Sequence, residues 1–278
     1  MDLAIALFFG LAIGSFLNVC IARLPLDISV VAPRSHCPKC RKLIAWYDNL
    51  PILSYFWLGA RCRRCNVAIS ARYPAIEALT AVVSVLLILQ YGLTPAWFVY
   101  LVFSCSMIVL VMIDFDHRIL PDVITLNGIW IGVLASVYLA PSSSLASRLL
   151  SVVGVVGSGQ RVEALTASLV GIVFGGGLLW AVREAFFRIR GIEGMGFGDV
   201  KMMAMVGAFL GLPLTLLTIL LGSVVGSVIG LSVIKLFGKS RNYELPFGTF
   251  LGMGAIIAVL YGNDLIRLYL EQMFPAIS

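Results

Sequence analysis

The sequence has very little charge. Charged residues make up 12% of its 278 residues, whereas soluble domains carry about 25%. Hydrophobic residues make up 60% and the mean hydropathy is +1.01, which excludes an ordinary soluble domain, a disordered chain and a disulfide-dense secreted scaffold. Because a bilayer-spanning helix uses about 20 residues, the composition predicts an all-α polytopic membrane protein.

Long apolar runs predict about eight transmembrane helices. Their approximate ranges are 3–22, 74–91, 95–113, 123–140, 164–182, 200–211, 213–237 and 247–263. The stretch 200–237 is too long for one crossing, and Gly211-Leu212-Pro213 supplies a helix stop followed by a residue that cannot continue the hydrogen-bond ladder. We therefore split it there. A further apolar stretch at 149–156 is too short to span the bilayer and predicts an interfacial piece or a connector.

Most of the 20 Lys and Arg residues lie on one side of this topology. Eight spans with the N-terminus outside place 17 of them on the cytoplasmic side, in loops or at the adjoining helix ends, and three outside, and it is the cytoplasmic side that carries excess Lys and Arg. The predicted cytoplasmic loops are therefore 23–73, 114–122, 183–199 and 238–246, with both termini on the outer, periplasmic side. The net charge of +6 then reflects topology and not nucleic-acid binding.

Four of the six cysteines form two C-x-x-C pairs in the first large inside loop. They are Cys37, Cys40, Cys62 and Cys65. Two such knuckles complete a tetrahedral thiolate shell for a structural zinc ion. Two disulfides would need an oxidising compartment, and a redox pair would need a βαβ context. The spacing therefore predicts a small cytoplasmic zinc-ribbon-like domain between the first and second helices, while Cys20 and Cys105 are predicted packing residues.

Two acidic residues fall at one predicted depth. Asp114 ends the third predicted helix and Asp199 opens the sixth, so both lie at the cytoplasmic edge of the bilayer. Two neighbouring carboxyl groups tend to share one proton, so that one can accept a proton from water while the other donates one. Gly196 and Gly198 remove side-chain bulk before Asp199, which suits a peptide substrate. The alternative is that these acids are ordinary loop or helix-terminal charges.

Together these elements resemble the type IV prepilin peptidases, the bifunctional leader peptidases and N-methyltransferases of type IV pilus and type II secretion systems. The resemblance covers nearly the whole chain. Besides the two C-x-x-C pairs it rests on Gly14-Ser15-Phe16-Leu17-Asn18-Val19 with Arg23-Leu24-Pro25, Ser70-Ala71-Arg72-Tyr73-Pro74-Ala75-Ile76-Glu77, Ile113-Asp114 with Leu120-Pro121-Asp122, and Gly196-Phe197-Gly198-Asp199-Val200-Lys201. It implies a first transmembrane helix at 1–22, a zinc-binding domain at 23–73 that supports methyl transfer, and a seven-helix intramembrane aspartic peptidase domain at 74–278.

The resemblance implies that Asp114 and Asp199 are the two catalytic aspartates. Asp116 is the main alternative for the first of them and Asp122 a weaker one. We prefer Asp114 because it stands seven residues before Pro121, the spacing that family members share.

One further acid lies inside an apolar run. Glu77 is a candidate participant in methyl transfer, because intramembrane acids are often functional, although a paired structural acid is the equal alternative. Asn18 and Arg23 are similar cases, and Arg23 could simply anchor the first helix at the interface.

The reaction implied by the resemblance has two steps. A prepilin or pseudopilin is cleaved after the glycine that ends its short basic leader, at the cytoplasmic face of the bacterial inner membrane. The new N-terminal residue is then methylated with S-adenosylmethionine as donor. No Gly-rich nucleotide loop follows a predicted strand, so the sequence does not locate the donor site. Alternatives are a peptidase without methyltransferase activity, a proton- or metal-coupled transporter, and a membrane scaffold.

Overall fold

The computed structural model of the protein describes residues 1–139, 159–192, 194–237 and 245–273, and most of these residues are helical. The short apolar stretch predicted at 149–156 lies outside these residues. The α-helices are α1 (Asp2–Arg23), α2 (Leu53–Trp57), α3 (Arg72–Tyr91), α4 (Pro95–His117), α5 (Asp122–Leu139), α6 (Gln160–Arg190), α7 (Phe197–Phe237) and α8 (Phe247–Met273). Within these ranges the β-structure consists of two isolated bridges. All helices except α2 are long and apolar enough to cross a membrane, which confirms the predicted all-α polytopic class.

Helix α7 contains the break predicted at Gly211. This glycine has φ 70° and ψ 178°, inside an otherwise helical stretch of 41 residues. A Cβ on Gly175 of α6 would lie 2.6 Å from the Met203 carbonyl oxygen and 2.8 Å from Cγ2 of Thr215. In a straight helix residues 12 apart are separated by about 18 Å. The chain therefore reverses at Gly211 into two arms, 197–210 and 212–237. With this division the described residues contain eight segments of membrane-spanning or nearly membrane-spanning length.

Two helices extend further than the apolar runs predict. Helix α6 continues to Arg190, eight residues beyond the predicted end, and α8 continues to Met273, ten beyond. Ion pairs one helical turn apart stabilise both extensions: Arg188 binds Glu184 at 2.8 Å, and Arg267 binds Glu271 at 2.7 Å. Such i,i+4 pairs support a helix without apolar burial. Hydropathy alone therefore underestimated these lengths.

The chain divides into two compact units, Met1–Val109 and Leu110–Ser278. In the first unit α1 and α3 pack closely at Gly14. A Cβ on this glycine would lie only 2.7 Å from the Glu77 Cα. Asn18 ties the same two helices together, since its amide donates to the Tyr73 carbonyl at 3.1 Å. The prediction that 23–73 supports methyl transfer and 74–278 forms the peptidase domain divides the chain by activity, and it stays a prediction.

In the second unit, α6 packs against the first arm of α7 with direct backbone contact. A Cβ on Gly171 or on Gly207 would overlap the backbone of the opposite helix. The Ser168 hydroxyl also donates to the Ala208 carbonyl at 2.8 Å. Small residues allow membrane helices to approach this closely. The contact fixes the arm that begins next to Asp199.

Candidate active site and metal centre

Asp114 and Asp199 meet in the second unit, each at a helix end. Asp114 lies in the last turn of α4 and Asp199 in the first turn of α7, and they are 5% and 6% exposed. A Cβ on Gly248 would lie 3.0 Å from Oδ2 of Asp114 and 2.8 Å from Oδ1 of Asp199. The sum of these distances, 5.8 Å, is the upper limit to the separation of the two oxygens. The two carboxyl groups therefore face the same space beside Gly248.

Helix α4 ends at His117, three residues after Asp114. Arg118 adopts a left-handed conformation with φ 56°, and its amide donates to the Asp114 carbonyl at 2.8 Å. This is the usual geometry of a helix C-cap. Pro121 follows in the connection to α5. The chain therefore turns away and leaves the Asp114 side chain at the helix end.

Thr249, in the first turn of α8, binds the Asp114 carboxylate. Its backbone amide donates to Oδ2 of Asp114 at 2.7 Å, and its hydroxyl donates to the same oxygen at 3.0 Å. First-turn amides have no partner within their own helix, so the start of α8 supplies a free donor. Neither Gly248 nor Thr249 was among the residues predicted from sequence. An uncharged pair inside an apolar run gives no chemical signal by itself.

The two alternative acids occupy different surroundings. Asp116 is exposed. Asp122 is 55% exposed at its side chain and forms an ion pair with Lys201. The structure therefore brings Asp114 and Asp199 together, while Asp122 binds a lysine next to the site.

The loop that precedes Asp199 is held by cation contacts. The Arg183 guanidinium donates to the Met195 carbonyl at 3.2 Å. Arg183 and Lys201 lie 5.8 and 5.3 Å from the centroid of the Phe197 ring. Cations over an aromatic face are attracted to it. These contacts hold the G-x-G-D segment beside Asp199.

The four predicted metal ligands converge in the first unit. The Sγ atoms of Cys37, Cys40, Cys62 and Cys65 all lie within 4.8 Å of one another, and those of Cys37 and Cys65 are 3.8 Å apart. Zn–S bonds of about 2.3 Å in a tetrahedron place sulfur atoms about 3.8 Å apart. The donor set therefore fits one structural zinc ion.

The two knuckles repeat the same backbone pattern 25 residues apart, a repeat that the sequence analysis did not detect. In the first knuckle, the Cys37 amide donates to the Lys42 carbonyl at 3.0 Å, and His36 and Leu43 form an isolated antiparallel β-bridge. In the second knuckle, the Cys62 amide donates to the Val67 carbonyl at 2.9 Å, and the residues on either side of this pair, Arg61 and Ala68, form the corresponding β-bridge. Few side chains outside the cysteines are shared, so the repeat is visible in the backbone and barely in the sequence.

Backbone amides lower the pKa of two of the four cysteine thiols in the knuckles. The Arg64 and Cys65 amides donate to the Cys62 sulfur and lower the pKa of this thiol to about 6. The pKa of Cys37 is also lowered, first by the Cys40 amide. Zinc binds thiolates and not thiols. The loop geometry therefore favours the thiolate form of Cys37 and Cys62, whereas burial and hydrogen bonds with the neighbouring cysteines raise the pKa of Cys65 to about 11.

Arg63, inside the second knuckle, binds a specific acid. Its guanidinium donates to both carboxylate oxygens of Asp48, at 2.9 Å from Nε and 2.7 Å from Nη2, and lies 5.5 Å from the centroid of the Tyr47 ring. Bidentate pairs of this kind fix geometry as well as charge. Arg63 therefore joins the knuckle to the short 3₁₀ helix Trp46–Asn49.

Glu77 is buried in α3, 8% exposed, and connects to this module. Its Oε2 accepts the Ile52 amide at 2.7 Å, and its carboxylate also interacts with the Ser15 hydroxyl. Ile52 has φ 59° and ψ −50°, which is a costly conformation for a β-branched residue. Ser15 lines a cavity of about 280 Å³ together with Ala12, Phe16, Val19, Asn49 and Pro51. The carboxylate therefore holds a strained segment beside a cavity.

Arg23 organises the chain after α1. Its guanidinium donates to the carbonyls of Ser29 at 2.9 Å and of Pro33 at 2.7 Å. These contacts order the segment that leads to the first knuckle. The predicted role of Arg23 as an anchor of the first helix at the membrane interface stays a prediction.

Fold and site define a polytopic helical membrane protein with a paired-aspartate site and a tetracysteine module. Family comparison places it more closely. Residues 8–91 match the bacterial peptidase A24 N-terminal domain, and residues 101–231 match the type IV leader peptidase family. The chain belongs to this family.

Similar proteins carry the name prepilin leader peptidase/N-methyltransferase. The one from Aeromonas salmonicida strain A449 is 35% identical, over 95% of this chain and 92% of its own. The one from Pseudomonas aeruginosa is 33% identical, over 94% and 91%. The one from Legionella pneumophila is 33% identical, over 94% and 92%. No solved structure matches the chain.

Proposed function

We propose that this protein is an intramembrane aspartic endopeptidase that removes the basic leader of prepilins or pseudopilins after a glycine and then N-methylates the new N-terminal residue. The observation that carries the peptidase assignment is the meeting of two buried carboxylates, Asp114 and Asp199, around Gly248. The names of the similar proteins support both activities.

The proposed cleavage uses the two carboxyl groups as acid and base. One proton is shared between them, because two close carboxylates disfavour the doubly ionised state. The ionised carboxylate takes a proton from water while the water oxygen bonds to the scissile carbonyl carbon. The protonated carboxyl gives its proton to the carbonyl oxygen. When the C–N bond breaks, the leaving amine takes a proton from the first carboxyl. The second carboxylate takes a proton back from a hydroxyl of the tetrahedral intermediate as its C=O bond re-forms, which regenerates the pair.

The location of the pair suits a substrate with a polar leader and an apolar helix. Both aspartates lie at helix ends, and the charge distribution of the sequence puts those ends on the cytoplasmic side. A prepilin helix in the bacterial inner membrane would present its scissile bond at this depth, with its leader in the cytosol. In this topology both termini of the enzyme are periplasmic.

The first unit is proposed to carry methyl transfer. Cys37, Cys40, Cys62 and Cys65 would hold a structural zinc ion that fixes the two knuckles. S-adenosylmethionine, when bound, would supply the methyl group to the neutral N-terminal amine. Glu77 is the proposed participant from this chain, because its buried carboxylate lies behind Ser15 at the cavity and can stabilise or deprotonate a cationic amine.

Purified enzyme in detergent or nanodiscs, incubated with a prepilin and isotopically labelled S-adenosylmethionine, tests both activities. Mass spectrometry should find the released leader and a mature chain heavier by one labelled methyl group. Leader release without label would leave a peptidase without methyltransferase activity. Intact prepilin, with a folded enzyme, would contradict the proposed function.

A further inference from the structure

Thr249 differs from other buried threonines of the chain in the partner of its hydroxyl. Thr215 and Thr218 donate to carbonyls one turn earlier in their own helix, Gly211 at 2.6 Å and Leu214 at 2.8 Å. This is the ordinary arrangement for a helical threonine. The Thr249 hydroxyl instead has two acceptors outside its own helix, Oδ2 of Asp114 at 3.0 Å and the Val111 carbonyl at 3.4 Å, and the contact to the acid is the shorter one. Its hydroxyl is therefore directed toward the acid pair.

The hydroxyl is only half of the contact. The Thr249 amide donates to the same oxygen of Asp114 at 2.7 Å. The residue before it, Gly248, lies against both acids, and any side chain there would be within 3.0 Å of each carboxylate. The first turn of α8 therefore places a residue without a side chain, Gly248, next to both aspartates and two hydrogen-bond donors of Thr249 next to Asp114.

We propose that Thr249 is a positioning residue of the aspartate pair, one that holds Asp114 through its amide and its hydroxyl. This inference rests on the proposed peptidase function. Two donors on Oδ2 fix the plane of the carboxyl group and favour negative charge on that oxygen. Oδ1 is then the oxygen that takes the proton from water. Thr249 itself makes no contact with the reacting atoms in this mechanism.

The test compares leader cleavage by Thr249→Val and Thr249→Ser. Valine keeps the shape and the amide but removes the hydroxyl, whereas serine keeps both donors. We expect Thr249→Val to lower kcat about 10- to 100-fold, the usual effect of losing a hydrogen bond to a charged group. KM should change less than about threefold, since in this proposal Thr249 acts on Asp114 and not on the substrate. Thr249→Ser should retain kcat within about threefold.

Matched variants separate positioning from packing. Thr218→Val removes a buried hydroxyl in the same unit, away from both acids, and should leave kcat within about threefold of wild type. Thr249→Pro removes the amide as well as the hydroxyl and should be worse than Thr249→Val. Folding is checked by thermal unfolding and by methyl transfer to a peptide that already lacks its leader. If Thr249→Val does not fold, Thr249→Ala against Thr249→Ser gives the same comparison.

Wild-type kcat in a folded Thr249→Val protein would overturn the proposal. So would an equal loss in Thr249→Ser and Thr249→Val, or an equal loss in Thr218→Val. Absence of cleavage by the wild-type enzyme would instead contradict the proposed function, so the two failures are distinguishable.

Discussion

Lys201 and Asp122 form a two-point ion pair, in which the lysine Nζ lies 2.7 Å from one carboxylate oxygen and 2.8 Å from the other. Each residue follows a motif: Asp122 comes directly after Leu120-Pro121, and Lys201 comes two residues after Asp199. The pair therefore links the start of α5 to the start of α7. It also gives Asp122 a partner of its own beside the buried acids.

Asp122→Asn should retain leader cleavage within about threefold of wild type. The pair is partly exposed, with side chains 24% and 55% accessible for Lys201 and Asp122, and such pairs contribute about 0 to 1 kcal/mol to stability. Initial rates on a purified prepilin and a thermal melt check this. A loss as large as that of Asp114→Asn would make Asp122 part of the chemistry.

Gly248→Ala should lower leader cleavage about 100-fold. Its Cβ would lie 2.8 Å from Asp199 and 3.0 Å from Asp114, so one carboxyl group must move, and displacements of about 1 Å can cost two orders of magnitude in rate. The matched control is Gly177→Ala, where a Cβ meets nothing within 4 Å. Equal rates for the two variants would show that the site tolerates the methyl group.

Cys40→Ser and Cys62→Ser should lower the zinc content and the rate of methyl transfer together. Each removes one of four thiolates that lie within 4.8 Å of one another, and structural zinc sites depend on a complete shell. Cys105→Ser is the control, since this cysteine is buried in α4 outside the cluster. Zinc is measured by atomic emission and methyl transfer with labelled donor. Normal methylation by a folded, zinc-free variant would refute the role given to the module.

Glu77→Gln should distinguish the effect of the Glu77 charge from that of its hydrogen bond to the Ile52 amide. The glutamine amide oxygen can still accept the Ile52 amide, now 2.7 Å from Glu77 Oε2, so the strained segment keeps its partner. We expect methyl transfer to a leaderless peptide to fall about tenfold or more while leader cleavage persists, because general acid–base groups contribute about 100-fold or more. Glu77→Leu should also destabilise the fold, since it leaves that amide unpaired. Unchanged methylation in Glu77→Gln would assign Glu77 a purely structural role.

Features built from residue types with few physical uses can be predicted from the sequence. Two C-x-x-C pairs predict a metal site, and Gly211 followed by Pro213 predicts the break that the backbone at Gly211 shows. Residue types alone did not decide whether Asp114 or Asp116 is the first acid of the pair. Asp114 is buried and Asp116 is exposed, and this difference depends on where α4 ends.

Other parts of the site were not predictable. Thr249 is remote in sequence from Asp114 and uncharged, so only the packing of the start of α8 against the end of α4 reveals its contact. The two knuckles were predicted, but the repeat of the backbone around them was not, because the shared feature is a hydrogen-bond pattern and not a set of side chains. The lengths of α6 and α8 were underestimated because ion pairs, and not apolar residues, support their ends.

The central claim is that Asp114 and Asp199 are the peptidase acids. It is tested most directly by kcat for leader cleavage in Asp114→Asn, Asp199→Asn and Asp116→Asn, with methyl transfer to a leaderless peptide as the folding control. The account predicts a loss of at least about 100-fold in the first two variants, because each removes a proton-transfer group, and near wild-type cleavage in the third, whose side chain is exposed. Cleavage at wild-type rate by Asp114→Asn or Asp199→Asn, or a loss confined to Asp116→Asn, would contradict it.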